Sequence, residues 1–480
     1  MRGLLTLVLL ALSALTALAD NKYPIVLVHG FAGWGRDELL GVKYWGGIQG
    51  DLQEQLKAQG YTVYTAAVGP FSSNWDRACE LYAQIKGGQV DYGANHAAKH
   101  GHARYGRTFP GLYPQWGNTT NGAVNKVHLI GHSMGGQTVR MLAQLLASGS
   151  KGAPVEESVM SHPLFAGGKN WVHSITTIAA PNQGTLLGDG FSQIGDLVKS
   201  LVIGVFSVLG VGSDATSSIY DAKLDQWGLE AKGSSESLSA YINRIFASPV
   251  FAPGFKDICL WSLSTSGAAE ENKWVKTLSN VYYYSYANVD TYAWVDILLR
   301  SIQLPNLLTM LLPLQPLGTF IGGRYGPNSG FTESWQANDG VVNTYSMGKD
   351  STGSAVTFAG TSTLGVWMQM PQLDHMDHLA VVGTTLHTQV KDVYVAHARL
   401  LYSLPTTTSS RNLAEQAATV PSAVVDQINS AVSALNTASG NVKSKADVAN
   451  LCADATSPPK KSYCDTMLNS TTTRRSLRTN

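Results

Sequence analysis

The sequence predicts an α/β fold with a mainly parallel central sheet flanked by helices. Three observations predict it. Apolar runs of strand length alternate with amphipathic helical patterns from Tyr23 to about Tyr402. The runs are apolar throughout, as strands buried on both faces of a parallel sheet are. One of them also ends in Gly131-His132-Ser133-Met134-Gly135 and passes straight into a helical pattern.

Each element has its own signal. "YPIVLVHGF" reads as a buried strand and "GDLQEQLKAQGY" as a helix closed by Gly60. "TVYTAAV", "KVHLIGHS" and "VHSITTIAAP" read as further strands, and "QTVRMLAQLLASG" as a helix. Asn182 to Gly212 is so rich in Leu, Ile, Val and Phe that it is either buried or covers something apolar. "LLTMLLPLQPLG", from Leu307 to Gly318, fits a lid, a cleft wall or core equally well. After Tyr402 a Ser/Thr-rich linker, "SLPTTTSSRN", precedes one amphipathic helix marked by Val425, Ile428, Val432 and Leu435. "SPPKKSYC" and "NSTTTRRSLRTN" read as disordered tail.

Of the 480 residues 44% are hydrophobic and 14% charged, and net charge is +1 without a long basic run, which argues against nucleic-acid partners. Residues 1–19 read as a secretory signal peptide: Arg2, an apolar stretch from Leu4 to Leu15, then Ala17-Leu18-Ala19. The stretch is short for a membrane span, so the mature chain is expected to be secreted, with no membrane span. Export permits disulfides among Cys79, Cys259, Cys452 and Cys464. The Cys452–Cys464 pair is favoured by its closeness in a loose tail.

Gly131-His132-Ser133-Met134-Gly135 fits G-x-S-x-G with a strand before it and a helix after it, the arrangement that presents a nucleophilic serine on a sharp turn. Such a serine needs a base and an orienting carboxylate, in the chain order Ser, Asp, His. Asp339 lies in an Asn-Asp-Gly turn, and "LDHMDHLAVVG" offers His375 and His378 as bases, which spacing alone does not separate. The two backbone N–H groups of an oxyanion hole are assigned to Phe31, after the first strand, and to Met134. "HAAKHGH" supplies three histidines in seven residues, fit for a metal or for plain polar surface.

"YPIVLVHGFAGWGRDELLGVKYWGG", "AVGPFSSNWDRACELYAQIKGGQVDYGANHAAKHGHARYGRTFPGL", "YDAKLDQWGL" and "NDGVVNT" together resemble the zinc-containing triacylglycerol lipases of thermoalkaliphilic Bacillus-type bacteria, with staphylococcal lipases more distant. The resemblance implies an α/β-hydrolase domain over 20–402, with a zinc insertion at about 74–112 and a helical lid at about 182–230, followed by an extension over 403–480. It implies Ser133, Asp339 and His378 as the triad and Phe31 and Met134 as oxyanion donors. It implies a structural zinc on Asp76, His96, His102 and Asp225, with His100 spare. Calcium is not expected, because Ala380 and Thr385 stand where the family carries acidic ligands. The function implied is hydrolysis of acylglycerol esters at a lipid interface. A carboxylesterase or phospholipase with the same triad is the alternative, and an inactive binding protein is a more distant one.

Overall fold

A computed structural model of the chain describes residues 21–215, 220–324, 331–406 and 417–469. The expected signal peptide, most of the Ser/Thr-rich linker and the last stretch of the tail lie outside the described residues. Seven strands, β1 Ile25–Val28, β2 Val63–Ala66, β3 Val127–His132, β4 Val172–Ile178, β5 Tyr282–Tyr286, β6 Ser354–Thr357 and β7 Val366–Gln369, form one sheet in the order β6-β7-β5-β4-β3-β1-β2. Every pairing in it is parallel.

The continuous apolar runs have a direct cause. Along β1, Ile25 and Leu27 enter the core on one face of the sheet, while Val26 and Val28 enter the core on the other. Helices cover both faces. Chain order reverses at the junction of β1 and β3, because β2 lies to one side of β1 and β3 to β5 to the other. Such a switch point opens a crevice at the carboxyl ends of the strands. The loop holding Phe31 and the turn holding Ser133 both emerge there.

Five helices frame the functional side chains. Asn74–Lys86 (α1) is capped by Ser73, whose side chain accepts from the Asp76 N–H, and Ala94–His100 (α2) ends at Gly101 in the left-handed region, φ 80°. Met134–Ser148 (α3) leaves β3 directly. Phe191–Val208 (α4) is the apolar helix expected in the 182–230 region, and Lys391–Ser403 (α5) closes the main domain.

The C-terminal extension differs from the sequence expectation of one helix and a disordered tail. Among its described residues there are three helices: Ser422–Gly440 (α6), Lys445–Cys452 (α7) and Pro458–Asn469 (α8). Pro458 and Pro459 do not oppose a helix, because they occupy its first turn, where no intrahelical N–H partner is needed. Tyr463, Cys464 and Met467 then share one buried face. Cys452 and Cys464 form the favoured disulfide, while Cys79 and Cys259 stay free and buried. Helix α6 packs on α5, and α8 reaches α4, where the Ser462 hydroxyl donates to the Ser207 carbonyl at 2.6 Å.

Candidate active site

Ser133 sits at the turn between β3 and α3 with φ 55° and ψ −133°, a strained conformation for a residue with a Cβ. The flanking glycines explain how the turn closes. A Cβ on Gly131 would come within 2.3 Å of the Gly135 carbonyl, and one on Gly135 within 2.2 Å of the Val28 carbonyl oxygen. Only hydrogen fits at either position.

His378 and Asp339 come together across the same crevice. The His378 ring Nδ1 lies 2.7 Å from Asp339 Oδ2, and the His378 N–H donates to the Asp339 carbonyl at 2.9 Å. The other carboxylate oxygen, Oδ1, accepts from the N–H groups of Val341 and Val342 at 2.9 and 2.7 Å. These bonds orient Asp339 toward the imidazole and support its negative charge. Ser133 and His378 line one small cavity, walled by Phe31, Trp34, Tyr44, Leu314 and the α4 residues Leu201, Val202, Val205 and Phe206. His375 is exposed and points elsewhere, with Nδ1 3.5 Å from Asn306 Nδ2. The geometry therefore separates the two histidines that spacing left open. Leu314 also places the Leu307–Gly318 segment, as cavity wall and core.

The loop after β1 lies directly against the serine: a Cβ on Gly30 would stand 2.9 Å from Ser133 Oγ. The N–H groups around Phe31 are committed, Gly30 to Tyr44 Oη at 3.0 Å, Ala32 to the Pro70 carbonyl at 3.0 Å and Gly33 to the Gly30 carbonyl at 3.2 Å. Met134 opens α3, where the first N–H groups lack intrahelical partners. Phe31 lines the same cavity as Ser133, and Met134 follows Ser133 directly in the chain.

Three supporting residues escaped the sequence reading. Burial, reinforced by the nearby His378, holds His132 well below the usual imidazole range, so its ring is neutral. With Nε2–H donating to the His378 carbonyl at 2.8 Å, Nδ1 accepts the Tyr44 hydroxyl proton at 2.6 Å, and Tyr44 Oη accepts the Gly30 N–H. One hydrogen-bonded chain therefore joins the Phe31 loop, the elbow and the His378 loop. Arg77, fully buried on α1, donates to the carbonyls of Gly69 and His29 at 2.7 and 2.5 Å and to Thr138 Oγ1 at 2.8 Å. Nothing in the local sequence marks Tyr44 or Arg77, because their partners are remote in the chain.

A second cluster joins Asp76, His96, His102 and Asp257, whose donor atoms all lie within 4.8 Å of one another. Asp257 Oδ2 is 3.2 Å from both His96 Nε2 and His102 Nε2, and Asp76 Oδ1 is 3.4 Å from His96 Nε2. All four of these atoms are buried without a hydrogen-bond partner. Orphaned buried donors and acceptors in a nitrogen and oxygen set at these separations fit a tetrahedral cation, for which ligand atoms stand about 3.3 Å apart. His102 Nδ1 faces the Ala103 carbonyl at 2.8 Å, which leaves Nε2 as the ligating atom. Burial opposes charge on His96, but Asp257 and Asp76 overcome it and raise its pKa to about 9.

Asp225, expected as the fourth ligand, is not in this cluster. Its carboxylate is exposed and paired with the Arg107 guanidinium. Its neighbour Gln226 does reach the cluster, donating from Nε2 to Asp76 Oδ2 at 2.9 Å, and Trp227 packs on His102 with ring centroids 4.6 Å apart. The segment thus reaches the cluster through Gln226 and Trp227, and the carboxylate that stands there is Asp257 in place of Asp225. Asp257 stands as a lone acid in "GFKDICLW", with no spacing to mark it. The cluster thus contains three of the four expected ligands. His100 is half-buried beside it, with its ring 4.6 Å from that of His96. In the loop after His378, Ala380 is buried and Thr385 Oγ1 pairs with Thr388 Oγ1 at 3.0 Å, so neither position brings a carboxylate.

A parallel sheet with a serine elbow at its switch point defines an α/β-hydrolase fold. The family model described as "Lipase-like, C-terminal domain" matches residues 21–398. Lipase 2 of Staphylococcus aureus is 36% identical over 377 residues, covering 76% of this chain and 50% of that protein. The lipase of Staphylococcus epidermidis is 37% identical over 372 residues, with 76% and 50% covered. Among solved structures, lipase 1 from Pelosinus fermentans superposes with a TM-score of 0.70 at 47% identity, covering 80% of this chain and 99% of that one. EstA from Clostridium botulinum gives 0.70 at 43% identity, covering 81% and 89%. The Staphylococcus hyicus lipase gives 0.60 at 33% identity, covering 76% and 89%. The chain belongs to the lipase family. It spans about half the length of the curated relatives it matches. Those relatives are staphylococcal, so the ranking that set staphylococcal lipases behind the Bacillus type is not supported, and membership of the broader family is what stands.

Proposed function

We propose that this chain is a secreted lipase that hydrolyses carboxylic esters of acylglycerols through an acyl-enzyme intermediate on Ser133. His378 takes the Ser133 hydroxyl proton as the oxygen attacks the substrate carbonyl carbon. Asp339 holds the imidazole by Nδ1 and stabilises its positive charge. The N–H groups of Phe31 and Met134 receive the developing oxyanion. His378 then gives the proton to the leaving alcohol, and in the second half-reaction it activates water in the same way. The observation that carries the reading is the meeting of Ser133 and the Asp339-bound His378 in one apolar cavity beneath α4.

That cavity holds only about 50 Å³, too little for a long acyl chain. Helix α4 therefore acts as a lid that must move, and the apolar face it uncovers suits a long acyl chain. The rival reading, a carboxylesterase for short acyl groups, is favoured by the same small volume if α4 stays in place. Zinc is the proposed occupant of the Asp76, His96, His102 and Asp257 cluster, and when bound it supplies a structural cross-link. Neither Ser133 nor His378 needs it for chemistry.

The test compares purified protein on emulsified triolein and on p-nitrophenyl butyrate. A lipase hydrolyses the emulsion, and Ser133→Ala abolishes both activities by several orders of magnitude. Turnover of the soluble ester alone would select the esterase. Near-normal turnover by folded Ser133→Ala would remove the serine mechanism.

A further inference from the structure

Most large apolar side chains outside the core are scattered singly, but one group is concentrated. Strands Thr291–Val295 and Ser301–Pro305 pair antiparallel as a hairpin. Tyr292, Trp294, Val295, Ile297, Leu298 and Leu299 on it are all exposed, Ile297 at 98% and Leu299 at 86%. An apolar group of this size held in water marks an interaction surface.

We propose that this hairpin is a docking element for a lipid surface, which it enters tip first. The inference rests on the lipase reading, since an acylglycerol substrate is presented as an insoluble phase. Three observations select lipid as the occupant.

Four backbone N–H groups of the tip are bonded from within it. The N–H groups of Asp296 and Leu299 donate to the carbonyls of Arg300 and Asp296, both at 3.0 Å. Those of Leu298 and Arg300 donate to Asp296 Oδ1 at 2.8 and 2.9 Å. A segment entering hydrocarbon must bring such internal partners with it. The charge of the tip is also cancelled locally, because the Arg300 guanidinium pairs with Asp296 Oδ2 at 2.6 Å. The element is convex, with aliphatic side chains at its end and Trp294 and Tyr292 behind them. That order matches the depth of a lipid surface, where aromatic rings prefer the headgroup level and aliphatic groups lie deeper.

The position of the hairpin in the fold agrees. Ser133 stands at the carboxyl end of β3, and the hairpin leaves from the carboxyl end of β5, the same edge of the parallel sheet. Its returning strand runs on to exposed Leu312 and then to Leu314, which lines the Ser133 cavity. A surface gripped by the tip is thus held on the side where the lid opens.

The experiment uses the full chain and a variant carrying Ile297→Ser, Leu298→Ser and Leu299→Ser. Binding is read by flotation with a phosphatidylcholine-stabilised triolein emulsion. Turnover is read on dissolved p-nitrophenyl butyrate, and oligomeric state by light scattering. The variant is expected to bind the emulsion at least about tenfold more weakly. It is expected to keep its melting temperature and its turnover of the dissolved ester. Unchanged binding would overturn the proposal. So would a wild-type dimer that the variant breaks while binding stays the same, which would assign the tip to a second copy of this chain. Failure of the lipase reading is distinguishable, because it removes turnover by the unaltered protein and leaves the binding comparison intact.

Discussion

Asp257 faces His102 across 3.2 Å, carboxylate oxygen to ring Nε2, in a cluster where the other carboxylate is Asp76. Asp257 lies just before free Cys259, while Asp76 and the two histidines come from the 74–112 region. A metal here would clip two remote stretches together, and binding only the folded form stabilises it by mass action. Asp257→Ala is expected to lose about one zinc per chain by elemental analysis and to melt several degrees earlier, yet to turn over ester at low temperature. Asp225→Ala is expected to keep its metal. Metal retained in the first variant and lost in the second would restore Asp225 as the ligand.

Tyr44→Phe removes the hydroxyl that bridges the Gly30 N–H and His132 Nδ1. Two buried polar groups are then left without a partner, at about 1–3 kcal/mol each. Because the chain ends on the loops bearing Phe31 and His378, the loss is expected mainly in kcat, by about tenfold, with KM little changed. Unaltered kcat in a folded variant would show that the chain is not needed to position the site.

Burial pushes the Glu80 carboxyl up to about 7, and the Asp76 carboxylate adds to the effect. The neutral form is the one the fold favours. Its contribution to stability is therefore complete below the unfolded value, near 4.5, and is lost as pH rises through about 7. Glu80→Gln stays neutral and is expected to flatten the fall in melting temperature between pH 5.5 and 8.5. An unchanged slope would show that Glu80 titrates as an ordinary carboxyl.

The extension is held by Cys452–Cys464, with sequence separation 12, a closure worth about 2–3 kcal/mol where the cross-linked segment unfolds. Its last helix lies on α4 through Ser462 and Ser207. Cys452→Ser with Cys464→Ser is expected to lower the melting temperature and to speed proteolytic cleavage between 209 and 215. Cleavage at the wild-type rate would mean that α8 stays docked without the bond.

What the sequence disclosed was mostly what is local. The elbow at Ser133 was legible because strand, glycines and helix are contiguous, and the sheet because its strands are apolar on both faces. His378 could not be told from His375 by spacing, since the difference is which ring meets Asp339 after folding. Asp257 was hidden for the same reason: a lone acid carries no pattern until two histidines from elsewhere face it. The helix at Pro458–Asn469 falls where the sequence reads as disordered tail, although Tyr463, Cys464 and Met467 recur at helical spacing and share its buried face.

The central claim is that Ser133 is the nucleophile, with His378 as its base. The most direct measurement is peptide mapping by mass spectrometry after inactivation with a p-nitrophenyl alkylphosphonate. The account predicts one adduct per chain, on Ser133, in step with the loss of ester hydrolysis. It also predicts that His378→Ala labels far more slowly, while His375→Ala labels at nearly the normal rate. Inactivation with the adduct on another residue, or full activity with Ser133 completely modified, would contradict it.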